Sequence, residues 1–351
     1  MEIEKATMSA WQVDPKDFPR NGSQHDKSEF MLRYALLASS FYNTQPWQFE
    51  VNDKGDQINI YADNSRWLKM ADPDKRELYI SLGCALENLL ITIAYFGMGH
   101  RSVSYFPEGY SNDWAVRIIL GAANESIAPR PEYLFSAISH RDTFIKKYFK
   151  NEPISSADLQ SITGFLGEHI YVDTDMQHQV ELDTINDPKY KDEFVRLVRD
   201  SDAILFSDSE FRHELTSLNS GGHYYNPWLS EELELLDRDM EAVDMIATKE
   251  SKIIANAAVF GVLTSNLDEP TSAVKVGQVF ERMALEASLH DVSIYPVFQL
   301  LEIPEMRTDL EKMLPDLKTI PQLVFVMGYV ERGAKIEMTP RIPLDQVMRY
   351  S

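Results

Sequence analysis

The sequence predicts an α+β protein built from two diverged repeats. Three observations carry that reading. Asp74, Gly83 and Glu87 recur as Asp268, Gly277 and Glu281, each offset by 194 residues. Each set opens a long helical stretch, residues 77–96 and 271–289. Each stretch follows a strand-like run, 58–62 and 258–264, and precedes an apolar run that reaches a glycine, 115–121 and 323–328. Three identities alone are weak, but the shared order of elements favours duplication.

The elements follow from local pattern. Residues 30–38 form an apolar helix-like run, and Trp47, Phe49 and Val51 alternate as a strand does. Asp74 and Asp268 stand where a carboxylate can accept from the orphan amides of a first helical turn. Gly83 and Gly277, at matching helical positions, would let two helix backbones approach closely. Residues 78–98 are apolar enough to suggest a membrane span, but Glu87 and Asn88 fall near the middle. A carboxylate there costs roughly 2.5–3.5 kcal/mol on insertion scales. A helix buried between two halves is the better expectation. Residues 208–255 repeat nothing in the first half: glycines 221 and 222 and Pro227 mark a loop, and leucines among acids follow, as in a helix with a solvated face.

Composition bounds the function. The chain has 351 residues, enough for one large or two ordinary domains, with 44% hydrophobic and 25% charged residues. Its 34 basic and 55 acidic residues give a net charge of -21, which opposes nucleic-acid and membrane partners. The single cysteine, Cys84, precludes an intrachain disulfide and sits in an apolar run as a core residue would. The N-terminus shows no basic segment followed by an apolar one, so a cytoplasmic location is expected. Neither a metal-ligand spacing nor a phosphate-loop or nucleophile-elbow motif is present.

The richest stretch is residues 39–49, Ser-Ser-Phe-Tyr-Asn-Thr-Gln-Pro-Trp-Gln-Phe. Uncharged donors and acceptors beside aromatic rings can hold a flat polar heterocycle; the bland alternative is a polar turn after a helix. Asn43 to Trp47 resembles the Asn-x-Gln-Pro-Trp core of the FMN-dependent nitroreductase superfamily, although Ser39 stands where that family usually has proline. Arg141 and Thr143 resemble its Arg-x-Ser/Thr phosphate-binding start, with Ile145 in place of a frequent second basic residue and Lys146 or Lys147 as possible substitutes. Arg341, before Ile-Pro-Leu, resembles its C-terminal phosphate-closing residue. Pro296 and Val297 match the turn whose backbone N–H groups lie beside flavin N5 and O4, where donors favour reduced flavin. Read locally, Pro296 merely starts a strand or turn.

The resemblance spans nearly the whole chain and is closest to the single-chain, fused-dimer (Acg-like) branch of the superfamily. It implies a nitroreductase-like three-layer α/β/α fold whose repeats form an intramolecular pseudo-dimer, residues 1–130 and 131–351. It implies one FMN between the halves, held by Ser40, Asn43, Gln45, Arg141, Thr143, Pro296, Val297 and Arg341, with no catalytic side chain. The mirror-related site is expected to lack both its polar loop and its arginines. The implied activity is NAD(P)H-dependent reduction of a nitroaromatic, quinone or similar small electron acceptor. The alternative is a flavin store of little turnover, covered by a lid at 208–255 with His223, Tyr224, Tyr225 or Trp228 at its tip; a plain surface excursion fits the insertion equally.

Overall fold

The computed structural model describes residues 10–107, 113–141, 149–167, 179–185, 188–220, 235–236, 242–314, 317–330 and 338–350. Two four-stranded antiparallel sheets organise them. The first holds β1 (Trp47–Val51), β2 (Gln57–Ala62), β3 (Met98–Tyr105) and β4 (Trp114–Ala122), in the order β1-β2-β4-β3. The second holds β5 (Val180–Thr184), β6 (Val259–Ser265), β7 (Val292–Pro296) and β8 (Ile320–Tyr329), in the order β5-β6-β8-β7. The two orders agree position for position, as a duplicated unit requires.

In chain order the α-helices are α1 (Gln24–Ala35), α2 (Arg76–Tyr95), α3 (Phe135–Ile138), α4 (Ser156–Thr163), α5 (Pro188–Ser207) and α6 (Ser209–Ser220). They continue with α7 (Ala242–Ile254), α8 (Pro270–Leu289), α9 (Gln299–Glu302), α10 (Pro304–Met313) and α11 (Leu344–Val347). Helices α2 and α8 join the second and third strands of their sheets, and they pack against each other at the centre of the molecule. A methyl added to Gly83 would lie 1.9 Å from Val274 O, and one on Gly277 would lie 1.9 Å from Ile80 O. Glycine at both places is what permits the backbones to touch. Helix α2 is long and apolar enough to cross a membrane, but 83% of that stretch is buried, as in a core helix.

The helix starts differ from expectation. Asp72, rather than Asp74 alone, stabilises the start of α2: its carboxylate accepts from the amides of Glu77 and Leu78 at 3.0 and 2.9 Å, while Asp74 accepts only from Arg76 N at 3.1 Å. Helix α8 begins with Pro270, which needs no amide partner, and Asp268 instead accepts from the Gln322 side chain at 3.0 Å.

The second sheet is covered on both faces. Along β8, Leu323, Phe325 and Met327 face the central core that includes α8, while Val324 and Val326 pack with Phe194, Leu197 and Val198 of α5. The first sheet turns Trp47, Phe49, Ile58, Ile60 and Ile118 to the same central core. Its other face carries Glu50, which accepts from Asn59 and Tyr61 at 2.7 and 2.6 Å. The described parts of the insertion are docked against the first half. Phe211 and Leu215 of α6 and Val243 and Ile246 of α7 form one cluster with Phe41, Leu68 and Ala71. The Glu214 carboxylate accepts from the amides of Lys69 and Met70 at 2.6 and 2.9 Å. The lid tip named above, residues 223–228, lies outside the described residues.

Candidate functional site

The loop between α1 and β1 is strained where the sequence singled it out. Tyr42, Asn43 and Gln45 have φ of 45°, 60° and 49°, a region that costs a non-glycine residue free energy. Surrounding bonds fix it. Gln45 N donates to Ser40 Oγ at 3.0 Å, and Phe41 N to Ser81 Oγ at 3.1 Å. Pro340 O accepts from Asn43 Nδ2 at 3.1 Å and from Gln45 Nε2 at 3.3 Å, and Gln45 Oε1 accepts from Ile342 N at 2.9 Å. Asn43 and Gln45 thus fasten the C-terminal arm of the second half onto the first. The arm runs on to pair Met348 with Phe49, and Arg349 Nε donates to Gln48 Oε1 at 2.6 Å.

That arm delivers Arg341 beside Arg141. Leu37 O, at the end of α1, accepts from Arg141 Nη2 at 2.7 Å and from Arg341 Nη2 at 3.3 Å. Arg341 Nη1 also donates to Asn43 Oδ1 at 3.0 Å, and its Nη2 to Ala38 O at 3.2 Å. The guanidinium lies 4.7 Å from the Trp11 ring centre. Arg141 pairs with Glu281 of α8 at 3.0 Å, and Glu281 Oε2 accepts from Ser39 N at 3.2 Å. Both arginines are buried, at 3% and 4% exposure. Burial first, and Arg141 second, lower the Arg341 guanidinium to about 9, against the pull of Glu281. Among the described residues one carboxylate, Glu281, thus meets the two buried cations, and Arg341 Nε has no hydrogen-bond partner. An anion with several acceptor oxygens would answer both deficits.

Next to this pair a cleft opens between the halves. Ser39, Ser40, Phe41, Ile80, Ser81 and Cys84 line it from the first half, and Phe280, Pro296, Phe298 and Leu323 from the second. Its free volume is about 40 Å³, below the roughly 300–1,000 Å³ of ordinary ligand pockets. A ring-shaped ligand therefore has to part walls such as Phe41 and Phe298, whose ring centres are 4.5 Å apart. Ser39 Oγ is buried without a partner.

Of the residues the sequence singled out, Arg141 and Arg341 come together at Leu37 O, Asn43 and Gln45 fasten the arm that carries Arg341, and Ser40 and Pro296 line the cleft. Thr143, with Ile145, Lys146 and Lys147, lies outside the described residues. Val297 departs from expectation: it is fully buried, and its amide already donates to Val324 O at 2.8 Å, because the chain there continues its pairing with β8. The mirror-related site also departs from expectation. It does hold a buried arginine. Arg130 Nε meets Glu87, the repeat of Glu281, at 2.8 Å. Gln278 Nε2 donates to Glu87 at 3.1 Å, and Tyr105 donates to Gln278 at 2.8 Å. Arg130 escaped notice because it belongs to no Arg-x-Ser/Thr motif and arrives from the segment after β4. Among the described residues Arg130 meets Glu87 here, whereas Glu281 in the first site lies with two arginines.

No family model matches the chain. Two Mycobacterium tuberculosis proteins provisionally named NAD(P)H nitroreductases, MT3217 of strain CDC 1551 and Rv3131 of strain H37Rv, are each 21% identical over 332 residues, covering 91% of this chain and 90% of their own length. The similarity to these two proteins runs over nearly the whole of both chains. Solved nitroreductase structures are more distant. The FMN-dependent nitroreductase NfnB of Mycobacterium smegmatis, in complex with NADPH, is 12% identical, covers 61% of this chain and 96% of its own, and scores a TM of 0.42. A nitroreductase from Anabaena variabilis is 10% identical, with 78% and 69% coverage and a TM-score of 0.45. At those scores the likeness has no bearing on the chemistry of the site.

Glu281, Ser39 and Phe298 adjoin the candidate site without having been assigned to it by the motifs. Glu281 was visible as a repeated residue, but nothing in sequence tied it to Arg141. Among the described residues one carboxylate group, Asp72, Asp74 and Glu77, has oxygens close enough together for a cation. Asp72 accepts from two amides and Glu77 pairs with Arg76, so both carboxylates already have partners within the fold.

Proposed function

We propose that this protein is an FMN-dependent NAD(P)H oxidoreductase that reduces a small nitroaromatic, quinone or similar acceptor, and that it represents the fused-dimer branch of its superfamily. The observation that carries the reading is the convergence of Arg141 and Arg341 on Leu37 O, with one carboxylate between them, beside a cleft walled by both halves. A phosphate monoester suits that cationic excess: guanidinium forks give it charge-assisted hydrogen bonds. Thr143, next to Arg141 in sequence, completes the clamp in this reading.

Bound FMN would supply two-electron redox chemistry, and the protein positions and shields it. Arg141 and Arg341 hold the phosphate end. Glu281 orients Arg141. Asn43 and Gln45 keep the arm closed over the phosphate. Ser39 and Ser40 offer hydroxyls to a polar ring edge, and Phe41, Phe280 and Phe298 exclude water from its faces. Val297 serves by shape, since its amide is committed to β8. The relatives' names speak for turnover and give the storage alternative no support.

The test is an absorbance spectrum of the purified chain, followed by anaerobic addition of NADH and NADPH. A flavin spectrum bleached by either nucleotide and restored by a quinone is expected. A colourless protein that takes up no FMN sinks the reading.

A further inference from the structure

Arg341 is also held by a residue from outside both repeats. Its Nη1 and Nη2 groups donate to Asn43 Oδ1, Leu37 O and Ala38 O, and to Thr339 O and Pro340 O of its own arm, each of these last two at 3.2 Å. Those bonds fix the guanidinium within its plane. Arg141 shares Leu37 O with it, and two like charges so placed repel. Trp11 meets the guanidinium on a face: the central carbon lies over the ring, 4.7 Å from its centre. The indole Nε1 donates to Thr339 O at 2.8 Å. One side chain thus covers the cation and also grips the backbone two residues before it.

Trp11 reaches this place from the segment that precedes α1. It lies in a single turn of 3-10 helix, Ala10–Gln12. A second turn follows at Pro15–Asp17, where Asp14 Oδ1 accepts from Lys16 N at 2.9 Å. Phe18 then anchors the segment in the first half: its ring stacks on Phe96 at 3.9 Å and meets Phe30 edge-on at 5.6 Å. Trp11 itself is half-buried and packs against the central core. The first half therefore holds the arm of the second at two places, once through Asn43 and Gln45 and once through Trp11.

We propose that Trp11 is a positioning residue for the flavin phosphate, acting through Arg341 by stacking on its guanidinium, and that it thereby favours FMN over riboflavin. The inference rests on the reading of Arg141 and Arg341 as a phosphate clamp. A π face attracts a cation without taking up any of its N–H groups. Arg341 Nε, the N–H without a partner, therefore stays uncommitted, as a phosphate oxygen requires. A carboxylate in the place of Trp11 would neutralise the charge that the phosphate needs. An aliphatic side chain would leave the repulsion from Arg141 opposed by the in-plane bonds alone. Trp11 does not line the cleft, so a flavin ring seated there is indifferent to it.

Fluorescence titration of the flavin-free chain with FMN and with riboflavin tests this. Trp11→Leu keeps apolar bulk against the core but has neither π face nor N–H, and Trp11→Phe keeps the π face alone. Trp11→Leu is expected to weaken FMN binding about fivefold or more and to leave riboflavin binding within about twofold. Trp11→Phe should recover part of the loss. In a chain that already carries Arg341→Ala, Trp11→Leu should cost FMN nothing further, because its route to the phosphate is gone. Unchanged FMN affinity in Trp11→Leu overturns the proposal. So do equal losses for the two flavins, a Trp11→Phe chain no better than Trp11→Leu, or losses that add in the double variant. A wild-type chain that binds neither flavin fails the oxidoreductase reading instead, and an Arg341→Ala chain that loses both flavins equally fails the phosphate clamp, so the failures are separable.

Discussion

Arg341 is held in place before any ligand reaches it, because Asn43, Leu37 O and Ala38 O already accept from it. Such pre-organisation lowers the ordering cost of binding. Charge-assisted hydrogen bonds are worth ~1.5–3 kcal/mol, so Arg341→Ala is expected to weaken FMN binding by about one to two decades at 1.4 kcal/mol per decade. Riboflavin, which lacks the phosphate, should lose little. Fluorescence titration with both flavins checks this, and an equal loss for the two would place Arg341 in the fold rather than at a phosphate. His100 gives a second residue-scale prediction. It is buried, its Nδ1 lies 3.2 Å from Ser126 Oγ, and burial first and Arg130 second lower it to about 4. The folded state therefore refuses a proton that the unfolded chain accepts below its ordinary value of 6.5. The stability this group confers is present above that value and is lost as pH falls towards 4, by about 3.5 kcal/mol at most at ~1.4 kcal/mol per unit. His100→Gln should flatten the acid limb of a urea-midpoint profile between those values; an unchanged slope would reject the assignment.

Helices α2 and α8 touch through Gly83 and Gly277, so each helix depends on the other's missing side chain. Alanine at either position drives a methyl into backbone, which cannot give way as a side-chain tip could. Overpacking of this kind costs ~1–3 kcal/mol or more. Gly83→Ala and Gly277→Ala should each lower the urea midpoint clearly, and a wild-type midpoint in both would mean the helices do not meet as described. This contact was legible in sequence, since the glycines recur with Asp and Glu at one spacing. So were β1, β2, β4, β6 and β8, which alternate or run apolar between turn residues, whereas β3, β5 and β7 were not read as strands. The helix starts were less legible: Asp72 and Asp74 offer the same chemistry two residues apart, and only geometry chooses between them. The Arg141–Glu281 and Arg130–Glu87 pairs were not legible, because each joins residues brought together by tertiary packing alone.

At the scale of the molecule, the halves have parted company in charge. Glu281 faces two arginines; Glu87 faces Arg130 and is further held by Gln278. Opening the second arrangement to a phosphate would break the buried Arg130–Glu87 ion pair, at a cost of about 3–5 kcal/mol. One FMN per chain is therefore expected, counted as flavin released per mole of protein. Two would mean that the Arg130 side opens despite this cost. Glu87→Gln, which frees Arg130 of its counter-ion, is the variant in which a second flavin phosphate should first find a foothold.

The arm that carries Arg341 crosses from one half to the other within a single covalent chain. A site shared by two separate subunits falls apart when they do, so its hold on a ligand weakens with dilution. Here the two walls stay at a fixed effective concentration set by the connecting backbone. Retention of flavin should therefore be the same at nanomolar and at micromolar protein, and each wall is free to change without forcing the same change on its twin.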